Sequence, residues 1–130
     1  MISPAHRNDC TILLVEDDDG IRESVSECLR MEGYDVALAR NGADALAWLR
    51  QGRRPSVVLL DMVMPVMTGA ELLASIRSDP ALRGVPVVLM TAAVQKDAAA
   101  LQAEAFLSKP FDLDELLSTV ERFCAGATGR

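Results

Sequence analysis

Four short apolar runs, each ending in a polar or charged group, constrain this chain more than any other feature of it. Thr11-Ile12-Leu13-Leu14-Val15 is followed by Glu16 and Asp17, and Val57-Val58-Leu59-Leu60 is closed by Asp61. Val87-Val88-Leu89-Met90 runs into Thr91, and Ala105-Phe106-Leu107-Ser108 runs into Lys109-Pro110. Near-continuous apolar runs of this length are the pattern of strands covered on both faces. Between them the spacing turns helical. Ile21, Val25, Cys28 and Leu29 line one face, with Met31 nearer its edge. Ala45, Leu46 and Leu49 line a second, and Leu72, Leu73 and Ile76 a third. A last helix is predicted behind Asp112 as N-cap, turning Leu113, Leu116, Leu117, Val120 and Phe123 inward.

Tyr34 to Leu38 reads as one more strand, entered past Gly33 at a helix C-terminus, and a short alanine-rich helix is expected around Lys96 to Gln102. Five strands alternating with five helices predict an α/β fold with a doubly wound parallel sheet and helices on both faces. In such a sheet, ligands sit outside the carboxyl ends of the strands. Glu16, Asp17, Asp61, Thr91 and Lys109 all fall there. With 130 residues the chain reads as one domain over 11–124, between an N-terminal tail of 1–10 and a frayed C-terminal tail of 125–130.

Composition narrows the function classes. The net charge is -6, from 13 basic and 19 acidic residues, a surface that repels phosphate backbones, so no direct nucleic-acid contact is expected. Cys10, Cys28 and Cys124 are odd in number and widely spaced, which argues against a disulfide framework or a zinc site. Cys28 and Cys124 are expected to be small core residues. No apolar stretch approaches the roughly 20 residues that cross a bilayer, nor does the start resemble a signal peptide. A cytoplasmic protein without membrane contact is the expectation.

Three carboxylates in one cleft repel each other unless a cation intervenes. An all-oxygen set suits Mg²⁺, and the one histidine, His6, lies far off in the N-terminal tail. A metal ion beside Lys109 would surround Asp61 with positive charge, a pocket built for a phosphoryl group, with the Thr91 hydroxyl as a donor. Asp61 could then act as a nucleophile that becomes an acyl phosphate.

On four motifs the chain resembles the receiver domains of two-component response regulators: Leu14-Val15-Glu16-Asp17-Asp18, Leu60-Asp61-Met62-Val63-Met64-Pro65 with Gly69, Met90-Thr91-Ala92, and Lys109-Pro110-Phe111. The resemblance runs from Thr11 to about Cys124. It implies a flavodoxin-like sheet of strand order 2-1-3-4-5. It implies that Asp61 is the phosphoacceptor, supplied by a sensor histidine kinase or phosphotransfer protein, and that phosphorylation alters binding to a protein target. Glu16, Asp17, Asp61 and the backbone carbonyl of Val63 would hold Mg²⁺. Thr91, the backbone N–H of Ala92 and Lys109 would bind the phosphoryl oxygens. Thr91 and Phe106 would form the switch, and the Lys109-Pro110 bond would be cis.

The chain departs from the family pattern in three places, the slightest being Thr68, where an aspartate is common. The segment between Thr91 and Lys109 is shorter by about one helical turn, and Glu104-Ala105 replaces the usual Gly-Ala before the last strand. Two alternatives follow from the residues. One is an interaction module on the same fold that works without phosphorylation. The other is a Mg²⁺-dependent phosphatase with an aspartyl-phosphate intermediate, which lacks its usual second aspartate because Val63 stands there. A signalling switch rather than an enzyme is the leading expectation.

Overall fold

The computed structural model describes residues 10–62, 67–91 and 103–128. Its strands are β1 (Thr11–Val15), β2 (Asp35–Ala39), β3 (Val57–Asp61), β4 (Val87–Thr91) and β5 (Ala105–Ser108). The helices among the described residues are α1 (Asp19–Met31), α2 (Gly42–Leu49), α3 (Gly69–Ser78) and α4 (Leu113–Thr128). All strand pairs are parallel and their order is β2-β1-β3-β4-β5, as predicted. The expected helix around Lys96 to Gln102 lies outside the described residues.

The apolar runs form strands because both of their faces are covered. Alternate residues of β1, β3 and β4 enter two separate cores. Leu13, Val15, Val58, Leu60, Val87 and Leu89 pack with α2 and α3 residues, including Leu46, Leu49, Leu72, Leu73 and Ile76. Ile12, Leu14, Val57, Leu59, Val88 and Met90 pack on the other face with Leu29 of α1 and Leu116, Val120 and Cys124 of α4. A Leu→Ala change at these positions typically costs about 2–5 kcal/mol.

Local chemistry sets the helix starts. Asp18 and Asn41 accept from the N–H groups of Ile21 and Asp44, and Thr68 forms a capping box with Glu71. Asp112 does the same reciprocally with Glu115. Past α1, Gly33 takes a φ of 97°, the left-handed turn that glycine adopts without strain.

Three expectations are corrected. Ile21 and Leu113 are 42 % and 46 % exposed rather than inward. Both sit in the first turn of helices that start at the carboxyl edge of the sheet, where less of the sheet lies beneath them. Ser26 is buried in α1 instead, its hydroxyl satisfied by the Glu23 carbonyl at 3.0 Å. Finally, α4 continues to Thr128, carrying Gly126 within it, where a tail was expected from 125.

One glycine links the fold to the carboxyl edge of the sheet. A Cβ on Gly69 would lie 2.5 Å from the Asp61 carbonyl oxygen and 2.8 Å from the Met62 Cα, both backbone atoms. Gly69→Ala is expected to destabilise the protein by about 1–3 kcal/mol in urea unfolding. Gly20→Ala, whose Cβ would meet only Asp18 Oδ1 at 3.4 Å, is the control and should be neutral or slightly stabilising.

Candidate functional site

The parallel sheet brings together four groups that are far apart in sequence. Asp61 is the last residue of β3, Glu16 and Asp17 follow β1, Thr91 ends β4, and Lys109 follows β5. Carboxylate oxygens of Glu16, Asp17 and Asp61 all lie within 4.8 Å of one another. Lys109 Nζ stands 3.1 Å from Asp61 Oδ1 and 3.7 Å from Glu16 Oε1. Glu16, Asp61 and Thr91 are buried and Asp17 is exposed, so the cluster forms a cleft with one open side.

The backbone aims these side chains. Glu16 N–H donates to the Ala39 carbonyl at 3.1 Å, which extends the β1–β2 ladder by one residue. Met62 N–H donates to the Met90 carbonyl at 3.1 Å, and Gly69 N–H to the Met62 carbonyl at 3.1 Å, securing the chain just past Asp61. Lys109 N–H donates to the Thr91 carbonyl at 2.8 Å, and the Lys109–Pro110 peptide bond is cis. Phe106 is half-buried and packs against the α2–α3 core. Val63 and Ala92, expected to offer a carbonyl and an N–H, lie outside the described residues.

The sequence reading missed Arg22. Its Nη1 donates to the carbonyls of Glu16 at 2.9 Å and Asp17 at 3.4 Å, while Nη2 pairs with Asp19. A guanidinium from the second turn of α1 thus braces the acidic loop from behind. The only signal was a basic residue close after four acidic ones, which also describes an ordinary helix start.

Electrostatically the cluster is incomplete. Among the described residues, three carboxylates face one ammonium, and the buried Glu16 Oε1 has no hydrogen-bond partner. Burial pushes the Glu16 carboxyl from an ordinary 4.5 up to about 7; the N–H of Asp18 opposes the rise, nearby Asp61 adds to it, and Lys109 offsets part of it. An orphaned buried oxygen beside two further carboxylates fits a hard divalent cation, which would take Glu16, Asp17 and Asp61 as oxygen ligands.

Comparison with known proteins agrees with this geometry. The family model "Response regulator receiver domain" matches residues 12–121. The probable transcriptional regulatory protein TcrX of Mycobacterium tuberculosis is 39% identical over 111 residues, covering 82% of this chain and 46% of that protein. The chain therefore spans about half the length of that curated relative. Among solved structures, the signal receiver domain of a Syntrophus aciditrophicus signal transduction histidine kinase superposes with a TM-score of 0.85 at 30% identity, covering 93% of this chain and 94% of that one. The receiver domain of a Pseudomonas aeruginosa sensor histidine kinase, crystallised with a magnesium ion coordinated in its active site cleft, gives 0.81 at 31% identity, covering 89% and 98%. Sheet order, clustered carboxylates and family match converge, and the chain belongs to the response regulator receiver domain family.

Proposed function

We propose that Asp61 is the phosphoacceptor of a two-component phosphorelay, receiving a phosphoryl group from a phosphohistidine of a sensor histidine kinase or phosphotransfer protein. The observation that carries this reading is the placement of Asp61 beside both the Glu16 and Asp17 carboxylates and the Lys109 ammonium. The Asp61 carboxylate attacks phosphorus, a P–O bond forms as the P–N bond breaks, and the imidazole leaves and takes up a proton. Lys109 is close enough to Asp61 to follow a transferring phosphoryl oxygen and neutralise its charge. Mg²⁺ held by Glu16, Asp17, Asp61 and the Val63 carbonyl would supply further charge neutralisation and orient the donor.

Thr91 at the end of β4 and the N–H of Ala92 are assigned to the phosphoryl oxygens, and movement of Thr91 together with Phe106 to the switch. Output is then a change in affinity for a protein target rather than catalysis. We place this signalling in the cytoplasm. No helix among the described residues is long and apolar enough to cross a membrane.

Two experiments test the site. Intact mass after incubation with Mg²⁺ and acetyl phosphate is expected to show one added phosphoryl group, dependent on Mg²⁺ and absent in Asp61→Asn. Lys109→Ala should slow its formation by at least about tenfold. An Asp61→Asn protein that still gains the group would remove Asp61 from its role.

The second uses the raised Glu16 pKa. Without metal, the folded chain holds this proton more tightly than the unfolded chain, for which 4.5 applies. Its stabilising contribution is therefore complete below about 4.5 and lost as the pH rises through about 7, on the order of 3 kcal/mol in all. Urea unfolding in a chelator across this range should show that loss in the wild type and a flatter profile in Glu16→Gln. Added Mg²⁺ should restore stability most at high pH, because the cation needs the ionised carboxylate. Parallel wild-type and Glu16→Gln profiles would assign the proton elsewhere.

A further inference from the structure

Strand β5 is weakly determined by its own side chains. It is an edge strand of four residues that pairs with β4 alone, and within it only Leu107 is buried. A slip of one residue would turn Leu107 outward and shift Lys109 by one strand rise, about 3.3 Å. Such a slip also turns each side chain to the other face, which would break the 3.1 Å contact between Lys109 and Asp61.

The start of the strand is held by a different set of contacts. Glu104 grips Val87, the first residue of β4, through both backbone and side chain. Its N–H donates to the Val87 carbonyl at 2.9 Å, and the Val87 N–H donates to Glu104 Oε1 at 2.7 Å. The same oxygen accepts from Arg77 Nη2 at 2.5 Å. Arg77 Nη1 in turn donates to the carbonyls of Arg83 at 3.0 Å and Val85 at 2.8 Å. One guanidinium, its side chain only 14% exposed, thus joins α3, the loop leading into β4, and the residue preceding β5. Charge-assisted bonds of this kind are stronger than neutral ones, and Val87 itself is fully buried. The far end of β5 is where Lys109 begins.

We infer that Arg77 and Glu104 are positioning residues for Lys109: they set where the edge strand starts and so where its terminal ammonium meets Asp61. The kinetic consequence rests on the phosphoacceptor chemistry proposed above; the clamp itself does not.

The test combines kinetics with amide exchange. Phosphorylation by acetyl phosphate, titrated with Mg²⁺ to saturation, is compared in wild type, Glu104→Ala, Glu104→Gln, Lys109→Ala and the Glu104→Ala/Lys109→Ala double variant. Glu104→Ala should slow the reaction roughly fivefold with unchanged half-saturation for Mg²⁺, yet add less than about 1.5-fold once Lys109 is gone, because residues acting through one another are non-additive. Glu104→Gln, which keeps an acceptor for Val87, should retain most of the rate. Equal slowing in both backgrounds would overturn the positioning role. Without any phosphodonor, exchange of the Lys109 N–H should quicken by about tenfold in Glu104→Ala while that of Leu13 in β1 stays unchanged. Unchanged Lys109 exchange would overturn the clamp. A wild type that accepts no phosphoryl group would count against the phosphoacceptor reading, and the exchange result would still decide the clamp.

Discussion

Charge can enter this sheet only at its ends. Strands β1, β3 and β4 are buried along nearly their whole length, and an unpaired carboxylate midway would cost several kcal/mol in lost hydration. The acidic groups therefore gather where the strands stop, at one edge, because parallel strands all end on the same side. Crowding three carboxylates there creates a demand for positive charge that Lys109 meets only in part. The Glu16 carboxyl is raised first by burial and then by nearby Asp61, and no described group hydrogen-bonds its Oε1.

Side chains that never face the cleft hold it in shape. Arg22 ties the carbonyls of Glu16 and Asp17 from the α1 side, and Arg77 ties those of Arg83 and Val85 at the opposite end of the sheet. Each arginine donates to backbone oxygens and also pairs with a carboxylate, Asp19 or Glu104. A planar guanidinium suits this work, since its rigid fork of donors reaches two chain segments at once. Gly69 contributes differently, by leaving room for the backbone at Asp61.

How much was legible in the sequence depended on whether a residue acts through its type or through its neighbours. Asp61, Glu16, Asp17 and Lys109 stood out because charges closing apolar runs are costly and so informative. Ile21 and Leu113 misled because helical periodicity marks a face without showing how far the sheet extends beneath it. Ser26 looked polar and was buried, its hydroxyl satisfied inside its own helix. Arg22 left only an ambiguous signal and Arg77 none, since much of their bonding goes to carbonyl groups that every residue carries.

The sequence alone determined the strands, the doubly covered sheet, the edge at which the polar groups collect and the acidic, oxygen-only character of the site. These follow from hydrophobic period and residue chemistry, which are local. Tertiary structure decided the distances: that Lys109 comes within 3.1 Å of Asp61 across 48 residues of chain, and that Glu16 is deep enough to hold its proton to about 7. It also decided that Glu104 reaches Arg77 from 27 positions away to pin the last strand. Register, burial depth and long-range ion pairs depend on how separately formed elements pack, and no local pattern encodes them.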